Sequence, residues 1–280
     1  MTHAPARPAP EPGLLLRLSG PLQSWGERSH FNERDTARFP TRSGIIGMLA
    51  AALGRRRTEP VDDLARLSLT VRTDRPGILL RDLHTVGGGL PAKATVTTAE
   101  GKKRPGATGT LLTHRTYLAD AAFTIALTST PDDTPLLDQA AQALNAPRWP
   151  LFLGRRSCPP EGPLLLGSSE DALHHLVHLP LAAQPDRNQQ TTEFLADRPL
   201  NRLPHGTAIP VGEDGTHPSG EINDQPLSFD PRRRSYRARP LYRRTLRLPA
   251  EQYAGLGTAQ LQELGAYLRQ HLNHPERSHR

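Results

Sequence analysis

One helix constrains this chain more than any other segment. From Thr41 to Gly54 the sequence reads TRSGIIGMLAAALG, and Ile45, Ile46, Met48, Leu49 and Leu53 put apolar side chains on nearly every side of the expected helix. Such a helix has to be buried, so other elements must wrap it. Thr41 or Ser43 can cap its start and Gly54 can end it. Gly44 and Gly47 would let another backbone approach closely. Before it lies a short apolar strand, Leu14–Leu18, closed by the turn formers Ser19, Gly20 and Pro21.

The same reading extends along the chain. Strands are expected at Leu69–Thr73, Ile78–His84, Leu111–Leu118, Ala122–Ser129 and Leu164–Leu166. Helices are expected at Val61–Leu67, at Thr134–Leu144 with Pro135 in its first turn, and at Thr258–Leu272. Residues 1–12 read as a disordered Pro-rich tail, and 180–230 as weakly patterned and turn-rich. The stretch from Gly87 to about Gly109 is long for a structureless loop, which implies a functional excursion or disorder. The order strand, helix, strands, excursion, strand, helix, strand is that of an α+β, ferredoxin-like sandwich. Helices would cover one face of its sheet. The other face would be open to RNA, as in the RNA-recognition (RRM-like) fold.

Composition narrows the function. The chain has 280 residues, with 35 Lys+Arg against 28 Asp+Glu, a formal charge of +7. Lysine occurs only at Lys93, Lys102 and Lys103, so arginine supplies nearly all the positive charge. Codon bias in a GC-rich genome would account for this as well as selection for phosphate binding would. In either case the guanidinium fork grips phosphate bidentately and stacks on bases. The single cysteine, Cys158, rules out an intrachain disulfide and makes a cysteine zinc site unfavourable. The longest apolar run, Ile45–Leu53, falls far short of the roughly 20 residues that span a bilayer, and the N-terminus has no apolar signal core. A soluble, cytoplasmic protein with no membrane partner is expected.

Catalytic constellations are thin. Metal-free RNA cleavage needs a base, an acid and a cation, for which His84, His114, Tyr117, Lys102 and Lys103 are candidates among twelve scattered histidines. His174, His175 and His178 follow Asp171 closely but belong to no HExxH motif, and no metal or cofactor is expected. Cys158 beside Arg155 and Arg156 is either an activated thiol or a small buried residue at a turn. Nucleic-acid binding has more support. Four basic groups stand out: Arg55–Arg57, Lys102–Arg104, Arg155–Arg156 and the Arg-rich segment Arg232–Arg247, which contains Tyr236 and Tyr242.

Five blocks carry a resemblance: LLLRLSGPLQSWG (Leu14–Gly26), RDTARFPTRSGIIGMLAAALG (Arg34–Gly54), LRDLHTVGG (Leu80–Gly88), YLADAAFTIAL (Tyr117–Leu127) and LGRRSCPPEGPLLLG (Leu153–Gly167). Together they resemble the CasD family, the RAMP-type subunit of the type I-E CRISPR surveillance complex, Cascade. The resemblance covers residues 14–167 and becomes loose beyond about 170. It implies a ferredoxin-like RAMP domain at 13–170 with a protruding β-hairpin thumb at about 86–114. A less regular C-terminal part at 171–248 would complete the fold, followed by a helical extension at 249–280.

It also implies a non-catalytic subunit that binds and caps the crRNA 5′ handle. The partners would be the Cascade backbone subunit and large subunit, and target DNA indirectly. The residues offered for the grip are Gln23, Trp25, Arg42, Ser43, His84, Lys102, Lys103, Arg104, Arg155, Arg156 and Ser157. Backbone amides at Arg42–Gly44 would meet phosphate at a helix N-terminus. A related type I-C member cuts RNA with a Tyr, Lys and His constellation; here His114-Arg115 lies near that stretch without an adjacent Lys. A metal-independent endoribonuclease processing CRISPR repeat RNA is the alternative, and a generic Arg-rich nucleic-acid binder a third.

Overall fold

The computed structural model describes residues 9–27, 32–87, 89, 91–95, 97, 101–103, 109–130, 133–184 and 191–272. In chain order the strands are β1 (Gly13–Ser19), β2 (Leu22–Gln23), β3 (Glu33–Arg34), β4 (Ser68–Arg75), β5 (Ile78–Val86), β6 (Leu111–Ala119), β7 (Ala122–Thr128), β8 (Leu165–Ser169), β9 (Thr192–Ala196), β10 (Ile209–Val211), β11 (Gly220–Ser228) and β12 (Ser235–Arg247). The α-helices are α1 (Arg42–Ala52), α2 (Thr134–Asn145), α3 (Ala172–His178) and α4 (Gly257–His271). The expected Val61–Leu67 helix shrinks to one 3-10 turn, Leu64–Arg66. The fold is mixed α+β with largely antiparallel sheets.

The main sheet runs β10-β12-β9-β4-β7-β1-β8, with β11 added to β12. Its register sets which side chains share a face. Leu14, Leu16 and Leu18 stand opposite Leu127, Ile125 and Phe123, and Leu69 and Val71 stand opposite Leu127 and Ile125. These residues form one core with α1 and α2. Ile45, Ile46 and Leu49 of α1 are almost fully buried there, worth roughly 1.5–3 kcal/mol each.

The intervening residues point the other way. Leu15 opposes Ala126, which opposes Thr70, and Thr70 opposes Ala196. This second face is covered by α3 and α4, whose Leu173, Leu176, Leu264 and Leu268 pack on Leu15, Ala126 and Phe194. The expectation of an open sheet face is therefore overturned. β7 is buried along its whole length because helices lie on both sides. Between sheet and helix sits Arg72, wholly buried, paired with Asp74 and donating to the carbonyls of Leu176 (2.8 Å) and Leu179 (2.7 Å). A charge so placed is tolerable only because each of these partners is fixed.

The described residues of 180–230 hold more regular structure than the weak, turn-rich pattern implied. They supply β9, β10 and β11, and β9 joins the N-terminal strands to the Arg-rich β12 within one sheet. A second, smaller sheet contains β2, β6 and β3, with β5 paired to β6. β5 and β6 form a hairpin in continuous register from Ile78↔Ala119 to Val86↔Leu111. It leaves Ile78, Leu80, Leu83 and Leu112 exposed. Much of the excursion beyond it, with Arg104, lies outside the described residues.

Candidate nucleic-acid interface

A cleft of about 1230 Å³ runs along α1. Small-molecule pockets hold about 300–1,000 Å³, so more than one nucleotide fits. Ser43, Gly44, Gly47, Ala50 and Ala51 of α1 line it, with the 24–27 loop, the 55–57 turn, the 149–156 segment and the β11–β12 hairpin. Local chemistry holds each of these in place. Thr41 caps α1 by accepting from the Gly44 N–H at 3.3 Å. A Cβ at Gly44 would lie 2.7 Å from Trp25 Cε3, so the glycine admits an indole ring rather than the expected backbone. A Cβ at Gly47 would meet the Phe229 ring at 3.7 Å, an ordinary contact, so no close approach of another backbone requires this glycine. Gly154 has φ +91°, and a Cβ there would lie 1.7 Å from the Ser24 carbonyl oxygen. Only glycine lets the 149–156 segment lie against the Ser24 backbone, which donates to the Leu153 carbonyl at 3.0 Å.

The cleft is strongly basic. Arg34, Arg55, Arg56, Arg57, Arg155, Arg156 and Arg234 line it, and among the described residues Glu27 is the one acidic lining residue. Trp149, Phe152, Phe229 and Tyr236 bring aromatic surface, whereas Trp25, expected from the sequence to grip RNA, lies behind the lining at 1% exposure. Three of the four basic groups seen in the sequence thus meet in one place.

These guanidiniums differ in what they are free to do. Arg55 is paired with Asp63 and donates to the Pro60 carbonyl at 3.0 Å; the hydrogen bond to Asp63 raises its pKa and holds the Asp63 carboxyl below its usual range. Arg155 donates to the carbonyls of Thr116 (2.9 Å), Arg34 (2.9 Å) and Asp35 (3.0 Å), and stacks 4.8 Å from the Tyr117 ring centroid. It staples the basic turn to β6 and β3. Arg234 lies over the Tyr236 ring and donates to its hydroxyl. Among the described residues, no side-chain hydrogen bond or ion pair engages the exposed guanidiniums of Arg34, Arg56, Arg57 and Arg156. These four can meet an anion without first giving up an internal partner.

Other residues singled out from the sequence go elsewhere. Gln23 is fully buried: its amide donates to the carbonyls of Leu18 (3.1 Å) and Ala121 (2.8 Å), and its oxygen accepts from Trp25 Nε1 at 3.0 Å. The Arg42 guanidinium is also buried, paired with Asp197 and donating to the carbonyls of Ala65 (2.6 Å) and Leu67 (2.7 Å). Its backbone N–H, expected to meet phosphate, donates to Asp224 Oδ2 instead. Ser43 lines the cleft beside Thr41. Ser157 is exposed next to Cys158 but is not among the lining residues. Cys158 itself is buried, and burial pushes its thiol pKa up. The Arg-rich segment is divided. Arg239 pairs with buried Asp224, Arg243 pairs with Glu193, and Arg244 donates to the Leu200 and Asn201 carbonyls.

His84, Lys102 and Lys103 lie on the hairpin and excursion, away from the cleft lining. Lys103 Nζ donates to Thr95 O and Thr97 Oγ1, each at 3.0 Å. Leu83 stands opposite His114 in the ladder, so His84 and His114 project from opposite faces of the hairpin. His84 sits 2.6 Å from Asp82 and His114 2.9 Å from Glu33. Among the described residues no group of three His, Cys, Asp or Glu is placed to hold a metal, and no helix is long and apolar enough to cross a membrane. Sequence reasoning missed Arg34, Trp149, Phe152 and Phe229. None belongs to a charge run or periodic pattern, and only folding brings them together.

The family model described as a CRISPR-associated protein (Cas_Cas5) matches residues 13–242. The chain belongs to that family of CRISPR-associated proteins. The Cascade subunit CasD of Escherichia coli (strain K12) is 39% identical over 168 residues, which cover 56% of this chain and 71% of the relative. A chain of a solved CRISPR RNA-guided surveillance complex superposes with TM-score 0.76 at 40% identity, covering 92% of this chain and 99% of its own length. A crystal structure of a Cas protein matches with TM-score 0.56 at 32% identity, over 88% and 99% respectively. Within the family, the chain is of the CasD type.

Proposed function

We propose that this chain is a non-catalytic subunit of a type I-E CRISPR surveillance complex, binding and capping the crRNA 5′ handle and nucleating backbone assembly in defence against viruses and plasmids. The observation that carries the reading is the cleft along α1, where separate arginine groups and aromatic rings converge. Guanidiniums without internal partners suit phosphates, and aromatic faces suit splayed bases. The strand order β8-β1-β7-β4, with α1 and α2 in the connections, supports a ferredoxin-like RAMP core at 13–170. Residues 171–248 complete that core. The β5–β6 hairpin is the base of the thumb, and its exposed apolar residues suit docking on a backbone subunit.

The absence of a catalytic role is supported by the hairpin histidines. A base and an acid must reach one phosphate together, and His84 and His114 project from opposite faces.

Co-expression with the remaining Cascade subunits and a repeat array tests the reading. Replacing Arg56, Arg57 and Arg156 together by Ala should strip crRNA from the purified complex. Retention equal to wild type overturns the cleft as the handle site. Incubating the purified chain with repeat RNA in EDTA should leave the RNA intact. Cleavage that His84→Ala or His114→Ala abolishes would establish the endoribonuclease instead.

A further inference from the structure

We infer that Trp149 is a stacking platform for an unpaired nucleobase, so the cleft engages RNA bases as well as phosphates and requires single-stranded RNA. This rests on the reading of the cleft as an RNA site and adds what part of the RNA it recognises. Trp149 is 39% exposed and lines the cleft together with the unpartnered Arg56, Arg57 and Arg156. Leaving a large indole in water forgoes the burial free energy that such rings contribute, and an indole in that setting marks a contact surface.

The backbone that carries the ring is fixed before any ligand arrives. The Arg148 N–H donates to the Ala52 carbonyl at 2.8 Å, and the Arg148 side chain packs on Gly54, which has φ +77°. Pro150 follows directly and restricts the backbone after the indole. A segment held this way loses little backbone entropy on binding. Phosphates engaged by the neighbouring guanidiniums would bring bases within reach of the ring. Bases already paired and stacked in a duplex cannot offer a free face.

The chain has 2 tryptophans, both at the cleft, but Trp25 is only 1% exposed, so quenching that is lost in Trp149→Ala is assigned to Trp149. The full chain is titrated with a short mixed-sequence single-stranded RNA, with abasic RNA of the same length, and with the same RNA annealed to its complement. Base-bearing single strands should quench the emission and bind about tenfold or more tighter than abasic RNA. In Trp149→Ala that difference should collapse while the salt dependence of binding persists, and Trp149→Phe should restore part of it. Equal affinity for base-bearing and abasic RNA without quenching overturns the inference and leaves a phosphate-gripping cleft intact. No binding of either RNA overturns the reading of the cleft itself. Should Trp149→Ala fail to fold, Trp149→Leu, which keeps apolar bulk without a flat ring, takes its place and should show the same collapse.

Discussion

The backbone N–H of Arg42 donates to Asp224 Oδ2 at 2.7 Å, joining two residues 182 positions apart. The same carboxylate accepts from Arg239 Nε at 2.6 Å and Nη2 at 3.0 Å, and Asp224 is 1% exposed. An internal carboxylate thus takes the place at the start of α1 that a phosphate was expected to fill, and the helix dipole favours it there. It also fastens the β11–β12 hairpin over the cleft.

Asp224→Ala should therefore cost about 3–5 kcal/mol, because it strands the Arg239 guanidinium of a buried pair and one helix-start amide. Urea unfolding would measure it. A loss below about 1 kcal/mol would show that water reaches the pair in solution.

The arginines of the cleft should separate into two kinds. For each of Arg56, Arg57 and Arg156 changed to Ala, the slope of log binding constant against log salt for single-stranded RNA should fall by about 0.7 with the melting temperature kept. Arg155→Ala should lower the melting temperature as well, since three backbone carbonyls lose their donor. Identical behaviour of all four variants would contradict the division.

Gly154→Ala should be among the most damaging single-methyl changes. The left-handed backbone costs roughly 1–2 kcal/mol for an L residue, and the added carbon would meet the Ser24 carbonyl at 1.7 Å. Thermal denaturation and RNA binding should both suffer, because this contact shapes the cleft wall.

Cys158 should be silent in the native protein. Burial raises its thiol pKa, so the reactive thiolate is disfavoured at neutral pH and gains population only in more alkaline solution. Labelling with a thiol reagent at neutral pH should proceed at the rate of unfolding. Fast labelling of folded protein would refute the buried placement.

Asp63 carries a pH dependence. Arg55 holds its carboxyl below the ordinary value, so its stabilisation is complete above about pH 3.9 and is lost as pH falls through the depressed folded-state pKa. Asp63→Asn should flatten the acid limb of a stability–pH curve and leave stability at neutral pH modestly reduced, the pair being partly solvent-exposed.

Local pattern made much of the architecture legible. The all-round apolar α1, the alternating Phe123, Ile125 and Leu127, and Pro135 at the start of α2 each write their element into a few neighbouring residues. β9 and β11 were not legible: TEFLA is short, and β11 carries polar residues such as Glu221 and Gln225. Their pairing comes from β12 and β4, far along the chain. Covering of the second sheet face was hidden for the same reason, since α3 and α4 meet Leu15 only through tertiary packing.

The candidate site divides along the same line. Net charge, the arginine groups and the five family blocks are properties of composition and order, and they sufficed to point to a polyanion and to a family. Whether a given guanidinium faces a ligand or a carbonyl is not a property of its neighbours in sequence. Arg42 and Arg56 stand fourteen residues apart, yet one is buried against Asp197 and the other is exposed beside the cleft. Desolvating a charge requires partners fixed in three dimensions, and only the folded chain could assign them.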